Sequence, residues 1–171
     1  MSIASKYLEL YKRAPRVLGL MANIQQTKEG YNNIRKLGEP AAFLKPANSI
    51  VQGKRTIEVN AERDVLLEIE LGVVIKGNCS QVSTEKAHDM ISGYFLTSDL
   101  TARRKPILGA FADMFYYKQF NNFTPISEQF IEASEIKDPQ NLGIEYEVLE
   151  NGAVKQELKF NTSEMVWNIA E

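Results

Sequence analysis

Leu66-Leu67-Glu68-Ile69-Glu70-Leu71-Gly72-Val73-Val74-Ile75 sets two acidic residues, one position apart, inside an otherwise apolar run. Side chains i and i+2 of a strand share a face, so Glu68 and Glu70 are expected to project side by side while Leu67, Ile69, Leu71 and Val73 line the other face. A helix would send the two carboxylates to different sides. An edge strand with one solvated face produces the same alternation, so the pattern alone leaves two readings open. In one, the pair is simply wet. In the other it is drawn out of water, where a lone carboxylate protonates or acquires a partner and two together call for a cation.

The surroundings favour the cation. The run continues through fully apolar Gly72-Val73-Val74-Ile75, and a further carboxylate, Asp99, follows a second apolar run, Tyr94-Phe95-Leu96. Glu68, Glu70 and Asp99 are hard oxygen donors, suited to Mg²⁺ or Mn²⁺ rather than to zinc. The single histidine, His88, has no carboxylate or cysteine at ligand spacing and reads as a surface helix residue.

At 171 residues, 44% hydrophobic and 25% charged, the chain has the length and make-up of one ordinary globular domain over 1–171. A net charge of −2 argues against a general nucleic-acid binder. No apolar stretch is long enough to cross a bilayer as a helix. The one cysteine, Cys79, forms no internal disulfide. Residues 1–16 form a basic N-terminal segment, with Lys6, Lys12, Arg13 and Arg16 against Glu9 alone, and read either as an import sequence or as an ordinary N-terminal helix.

Outward from the acidic pair, Lys28 to Lys36 reads as a helix followed by a loop, and Ala41 to Pro46 as a short strand stopped by its proline. Ile57-Glu58-Val59 reads as a small strand and Val65 to Ile75 as the long central one. Ser83 is placed to cap a helix through Ser92, with Gly93 as its stop. A strand from Gly93 to Leu100 then carries Asp99 at its end, and Thr101 to Lys118 is a loop with a basic run, Arg103-Arg104-Lys105, and an aromatic cluster, Phe115-Tyr116-Tyr117. Gly143 to Val148 alternates, and Asn151-Gly152 signals a hairpin into Val154 to Phe160. The class is β-rich and mixed.

Phe43-Leu44-Lys45-Pro46, the Glu68-to-Ile75 run, Gly93-Tyr94 with Asp99-Leu100-Thr101-Ala102-Arg103, Lys118, and Pro125-Ile126-Ser127 together resemble the fumarylacetoacetate hydrolase family, in its acylpyruvase and oxaloacetate decarboxylase-like branch. The resemblance covers nearly the whole chain. It implies an α+β fold, a mixed β-roll of the family's C-terminal-domain type that dimerises. It also implies a Mg²⁺ or Mn²⁺ ion on Glu68, Glu70 and Asp99, with Lys118 as the catalytic cation beside the substrate and Arg103 in substrate binding. From the residues alone, Lys118 reads as a solvated loop lysine. Substrates of the family are 2-oxo acids, whose carboxylate and oxo oxygen chelate the metal.

The departures carry equal weight. Family hydrolases place a His and a Glu, three residues apart, on an N-terminal lid that activates water. Here Lys28 and Tyr31 fall at those positions, with Glu29 between them. A protonated lysine is a poor general base. Pro106 replaces an expected glutamine, and Glu171 precedes the family's Gly-Thr-Pro substrate loop, so the roll is expected to be incomplete at its C-terminal end. Met165, Val166, Trp167 and Ile169 are then expected to be buried against another chain.

Two functions follow. The favoured expectation is a catalytically degenerate family member serving as a structural subunit of a larger assembly with protein partner chains. The alternative is a Mg²⁺- or Mn²⁺-dependent enzyme on 2-oxo acids, an oxaloacetate decarboxylase or tautomerase or an acylpyruvate hydrolase. A mitochondrial location is expected from the resemblance and the basic N-terminus, with the cytoplasm as the alternative.

Overall fold

Alternating side-chain burial along the strands places most of the elements in this chain, for which the computed structural model describes residues 16–104 and 116–171. In order they are β1 (Val17–Leu20), α1 (Lys28–Arg35), β2 (Ala42–Lys45), β3 (Ile50–Gln52), β4 (Arg63–Ile75), α2 (Thr84–Ala87), β5 (Ile91–Arg104), β6 (Thr124–Ile126), β7 (Ile131–Glu132), β8 (Gly143–Glu150) and β9 (Ala153–Asn161). These mixed sheets with few helices are an α+β architecture. They form two compact units, the first drawn from Met1–Gly19, Ala42–Val74 and Ser92–Ala133, the second from Leu20–Ala41, Ile75–Ile91 and Ser134–Glu171.

The first unit is organised by β5. Strand order in its main sheet is β3-β6-β5-β4, with β7 also on β5, and the sheet is mixed because β3 runs parallel to β6 while β5 runs antiparallel to it. The long strand β4 therefore lies at the end of this order, and β5, not β4, is the central strand. Leu100 and Ala102 of β5 join Phe123 in an apolar cluster backed by Ile57, Val65 and Phe120. Asp99 and Thr101 alternate with them and are buried on the opposite face. One strand thus supplies core and polar centre together.

Gly93 lies inside β5 rather than ending a helix. Its pairing with Glu132 of β7 brings the chains so close that a Cβ there would meet the Ile131 carbonyl oxygen and the Phe130 ring. The helix expected through Ser92 accordingly stops early, as α2 and a 3-10 turn over His88–Met90. Ser83 occupies the N-cap without a side-chain cap bond, so little holds a longer helix against the pull of the sheet. Ile57-Glu58-Val59 is not a strand. It is irregular chain that is held by packing of Ile57 against the apolar cluster. Strand β5 also runs on to Arg104, placing Asp99 mid-strand and turning the first part of the expected Thr101–Lys118 loop into strand. Lys105, Pro106 and Phe115 lie outside the described residues, as does the basic N-terminal segment apart from Arg16.

In the second unit, β8 and β9 form the expected hairpin. Asn151 and Gly152 both take positive φ (54° and 82°), the turn geometry that matches strand twist. The C-terminal apolar residues are covered by this chain itself. Val166 and Trp167 are only 2% and 7% exposed. Asn23 brackets Trp167 by donating to its carbonyl and accepting from its amide, Ile24 bridges to Met165, and the Arg35 guanidinium lies 4.1 Å from the centre of the indole ring. The expectation that Val166 and Trp167 are buried against another chain is corrected: residues 23–35 provide their cover.

The close approach at Gly93 makes a paired test. Gly93→Ala should lower stability by about 1–3 kcal/mol, the usual cost of forcing extra atoms into packed structure. Gly143→Ala, where a Cβ meets nothing, should change it by no more than about 0.5 kcal/mol. Urea melts of the two variants check the contrast, and equal midpoints would contradict it.

Candidate functional site

Strand β2 shows an inverted pattern that leads to the site. Leu44 is 52% exposed while Lys45 is 5% exposed, so the apolar residue faces water and the charge faces inward with Phe43. Lysine is rarely buried without a partner. Its Nζ donates to Asp99 Oδ1 and, at 2.6 Å, to the Phe123 carbonyl. Pro46 ends the strand immediately after it.

Asp99 is held from its other side too. Lys118 Nζ donates to Asp99 Oδ2, to the Thr101 hydroxyl at 2.7 Å and, more weakly, to Glu68 Oε2 at 3.4 Å. It also sits 4.6 Å from the centre of the Phe43 ring, within cation–π range. Lys45, Asp99, Thr101 and Lys118 are all buried, so each carboxylate oxygen of Asp99 faces an ammonium in a setting where such bonds are strong and unpaired charges costly. Lys118 is therefore not a solvated loop lysine. Burial pushes the Lys45 ammonium below its usual range, an effect that Asp99 opposes.

The acidic pair of β4 is split by exposure. The Glu68 side chain is 56% exposed and its solvated end meets Lys118, whereas Glu70 is half-buried. Burial, reinforced by Asp99 and Glu68, pushes the Glu70 carboxyl up to about 7, against the opposing pull of Lys118 and Lys45. The site thus carries more negative charge than its two ammoniums relieve. On the reverse face of β4, Leu67 is 38% exposed, so the expected apolar face is only partly closed.

Arg103 lies two positions beyond Thr101 on the same face of β5 and is half-buried. Lys28, Glu29 and Tyr31 lie on α1 of the second unit, where all three are exposed. His88 is likewise exposed. The structure therefore gathers Glu68, Glu70, Asp99 and Lys118 in one unit, and adds Lys45, Thr101 and Phe43, which sequence reasoning did not single out for a role. Lys45 had a legible signal: a lysine in phase with Phe43 on a strand that ends in proline.

Oxygen donors of this kind suit a hard divalent cation, and the upward shift of Glu70 comes first from its burial and then from the charges of Asp99 and Glu68. Among the described residues, however, no three of the carboxylates are gathered as ligands around one point. Two ammonium groups hold Asp99 instead. The donor chemistry of Glu68, Glu70 and Asp99 is of the kind a hard cation takes, while the charge on Asp99 is met by Lys45 and Lys118.

Comparison with known proteins bears on the family and the fold. Residues 16–171 match the family model described as fumarylacetoacetate (FAA) hydrolase C-terminal. The chain is 35% identical over 149 residues to a mitochondrial oxaloacetate decarboxylase of Dictyostelium discoideum, covering 85% of this chain and 65% of the relative. It is 34% identical over 137 residues to the mitochondrial oxaloacetate tautomerase FAHD2 of Arabidopsis thaliana, covering 78% and 60%. The chain therefore spans less than two thirds of the length of these relatives. Among solved structures, it resembles a 2-hydroxyhepta-2,4-diene-1,7-dioate isomerase from Mycobacterium marinum with TM-score 0.71 and 29% identity, over 92% of this chain and 55% of that one. A maleylpyruvate hydrolase from Sphingobium sp. SYK-6, solved with manganese(II) and pyruvate, shares the fold with TM-score 0.69 at 23% identity, over 91% and 51%.

The Glu70 shift sets a pH dependence. Its folded value, about 7, lies above the ordinary 4.5, so the native state binds the proton more tightly than the unfolded chain. The resulting stabilisation is complete below pH about 4.5 and is lost as pH rises to about 7. Chelator-treated protein should lose on the order of 1–3 kcal/mol across this window relative to Glu70→Gln, which lacks the titrating group. Parallel pH profiles for the two proteins in urea denaturation would contradict the assignment.

Proposed function

The chain belongs to the fumarylacetoacetate hydrolase family, and from that membership we propose that it contributes the core of a Mg²⁺- or Mn²⁺-dependent active site for 2-oxo acids of the oxaloacetate type, with decarboxylation or enol–keto tautomerisation as the reaction. The observation that carries this reading is the buried Lys45–Asp99–Lys118 centre beside Glu68 and Glu70. A solvated strand face does not need two buried ammoniums. The relatives bear the names of oxaloacetate enzymes, which favours the catalytic reading over a degenerate structural subunit.

In this reading Glu68, Glu70 and Asp99 hold the ion. A bound divalent cation supplies the Lewis acidity that polarises a 2-oxo group. The protein's own residues do the rest. Lys45 fixes Asp99 by tying one carboxylate oxygen to the Phe123 carbonyl. Lys118, steered by the Thr101 hydroxyl and the Phe43 ring, places positive charge where negative charge grows as the substrate reacts. Arg103 is assigned to the substrate carboxylate, as a planar donor pair suited to it.

The lid positions decide between reactions. Lys28, Glu29 and Tyr31 do not reproduce the family's His and Glu, and hydrolysis needs an activated water where decarboxylation and tautomerisation do not. A mitochondrial setting is proposed from the relatives' names. Association with further copies or other chains is proposed from the family resemblance, with Leu149, Val154 and Leu158 on the β8–β9 hairpin as exposed apolar surface for it.

Millimolar Mn²⁺ or Mg²⁺ should raise the thermal midpoint of the native chain, corresponding to about 2.7 kcal/mol at a hundredfold excess over the dissociation constant, and Glu70→Gln should remove the rise. An unmoved midpoint would leave the acidic pair without a metal-binding role. Turnover should be lopsided, with oxaloacetate decarboxylation or tautomerisation exceeding acylpyruvate hydrolysis by about 10²-fold or more. Lys28→His with Tyr31→Glu should raise hydrolysis selectively. Efficient hydrolysis by the unaltered chain would overturn the assignment of the lid.

A further inference from the structure

The side chains of the polar centre do not all share one kind of support. Lys45 stands on β2, Glu68 and Glu70 on β4, and Asp99 and Thr101 on β5, so the ladders of their sheets place them. Lys118 has no strand. It falls in a helical turn, where the Gln119 amide donates to the Tyr116 carbonyl at 3.3 Å, and irregular chain follows, where the Phe123 amide donates to the Phe120 carbonyl at 3.3 Å. A lysine stem is long and flexible, so its ammonium is aimed only as well as the main chain at its root.

Arg63, the first residue of β4, meets that turn. Its guanidinium carbon lies 4.9 Å from the centre of the Phe120 ring, 5.8 Å from that of Tyr116 and 5.9 Å from that of Tyr117, all within cation–π range. These three residues flank Lys118 on both sides in sequence. The rings also brace one another, for Tyr116 meets Phe120 edge-on at 5.7 Å and Tyr117 edge-on at 5.9 Å. The same guanidinium donates through Nη1 to the Ala102 carbonyl at 3.1 Å, next to Thr101 on β5. One half-buried arginine therefore ties the turn bearing Lys118 to the strand bearing its partners, Asp99 and Thr101.

We propose that Arg63 is a positioning residue for Lys118: it holds the aromatic turn against β5 and so fixes where the Lys118 ammonium points. The catalytic part of the inference rests on the reading above, in which Lys118 faces the negative charge that grows on the substrate. The effect of Arg63 on turnover is then routed through Lys118, while its effect on the Lys118 ammonium is present with no substrate bound. Methionine at position 63 keeps much of the stem and loses both the cation and the donor.

Trace labelling with acetic anhydride, followed by mass spectrometry of the peptides, reads the accessibility of each lysine in the native protein and in Arg63→Met, below their melting temperatures and without substrate. Lys118 should be acetylated about fivefold or more faster in Arg63→Met, the scale of losing one favourable cation–π contact. Lys45, buried on the same carboxylate, should label at an unchanged rate, and equal increases at both lysines would mean general loosening and overturn the proposal. Oxaloacetate turnover supplies a double-mutant cycle. Arg63→Met should lower kcat about fivefold in the native background but less than about twofold in Lys118→Met, because both changes act on one group. Phe120→Leu, which removes the nearest ring and keeps an apolar side chain, should act in the same direction and serves where Arg63→Met does not fold. Unchanged Lys118 labelling, or additive losses in kcat, would overturn the positioning and leave the metal-dependent reading standing. Faster labelling of Lys118 alone, in a chain without turnover, would uphold the positioning and remove the catalytic reading.

Discussion

One carboxylate shared by two buried ammonium groups organises the first unit of this chain. Asp99 alone would be costly where it lies, and so would either lysine. Held together, they fix the relative positions of three elements that are distant in sequence: β2 through Lys45, the middle of β5 through Asp99, and the chain before β6 through Lys118 and the Phe123 carbonyl. Buried ion pairs of this kind add little net stability compared with apolar packing, but breaking one side is expensive. Their value is in specifying geometry, which apolar packing specifies less sharply.

The apolar packing is arranged to support that geometry. Residues of β5 point alternately into the Leu100, Ala102 and Phe123 cluster and into the polar centre, so any slip in register would exchange core for charge. Phe123 belongs to both sides, its ring in the cluster and its carbonyl on Lys45. The close approach at Gly93, where β7 lies against β5, fixes the same strand nearer its start. A strand pinned at several points along its length can carry a charge in its middle.

The acidic pair, the strand containing it, the β8–β9 hairpin and the strand ending at Pro46 were legible because each rests on local chemistry: alternation, turn residues and a proline. Lys118 and Asp99 were legible only as part of a set of motifs, since nothing local says that a lysine after an aromatic cluster is buried. What sequence could not show was partnership. Lys45 meets Asp99 across 54 positions, and only the fold makes its burial affordable. The helix through Ser92 was misplaced because Gly93 has two meanings, a helix stop or a close strand contact, and the tertiary contact with Ile131 selects the second. The C-terminal aromatic was misplaced for a related reason: Trp167 is covered by Asn23 and Arg35, more than 130 residues earlier in the chain.

The unequal exposure of Glu68 and Glu70 gives the two neighbouring acids different work. Glu70, half-buried and opposed by Asp99 and Glu68, loses most by being ionised and so gains most from a cation. Glu68 has its end in water, where its contact with Lys118 is screened. Strand geometry puts the two acids on one face, and the gradient of solvent along that face separates a carboxyl whose charge is disfavoured by burial from one whose end lies in water beside Lys118. Two chemically similar side chains, one position apart, thereby acquire roles that their sequence spacing alone does not distinguish.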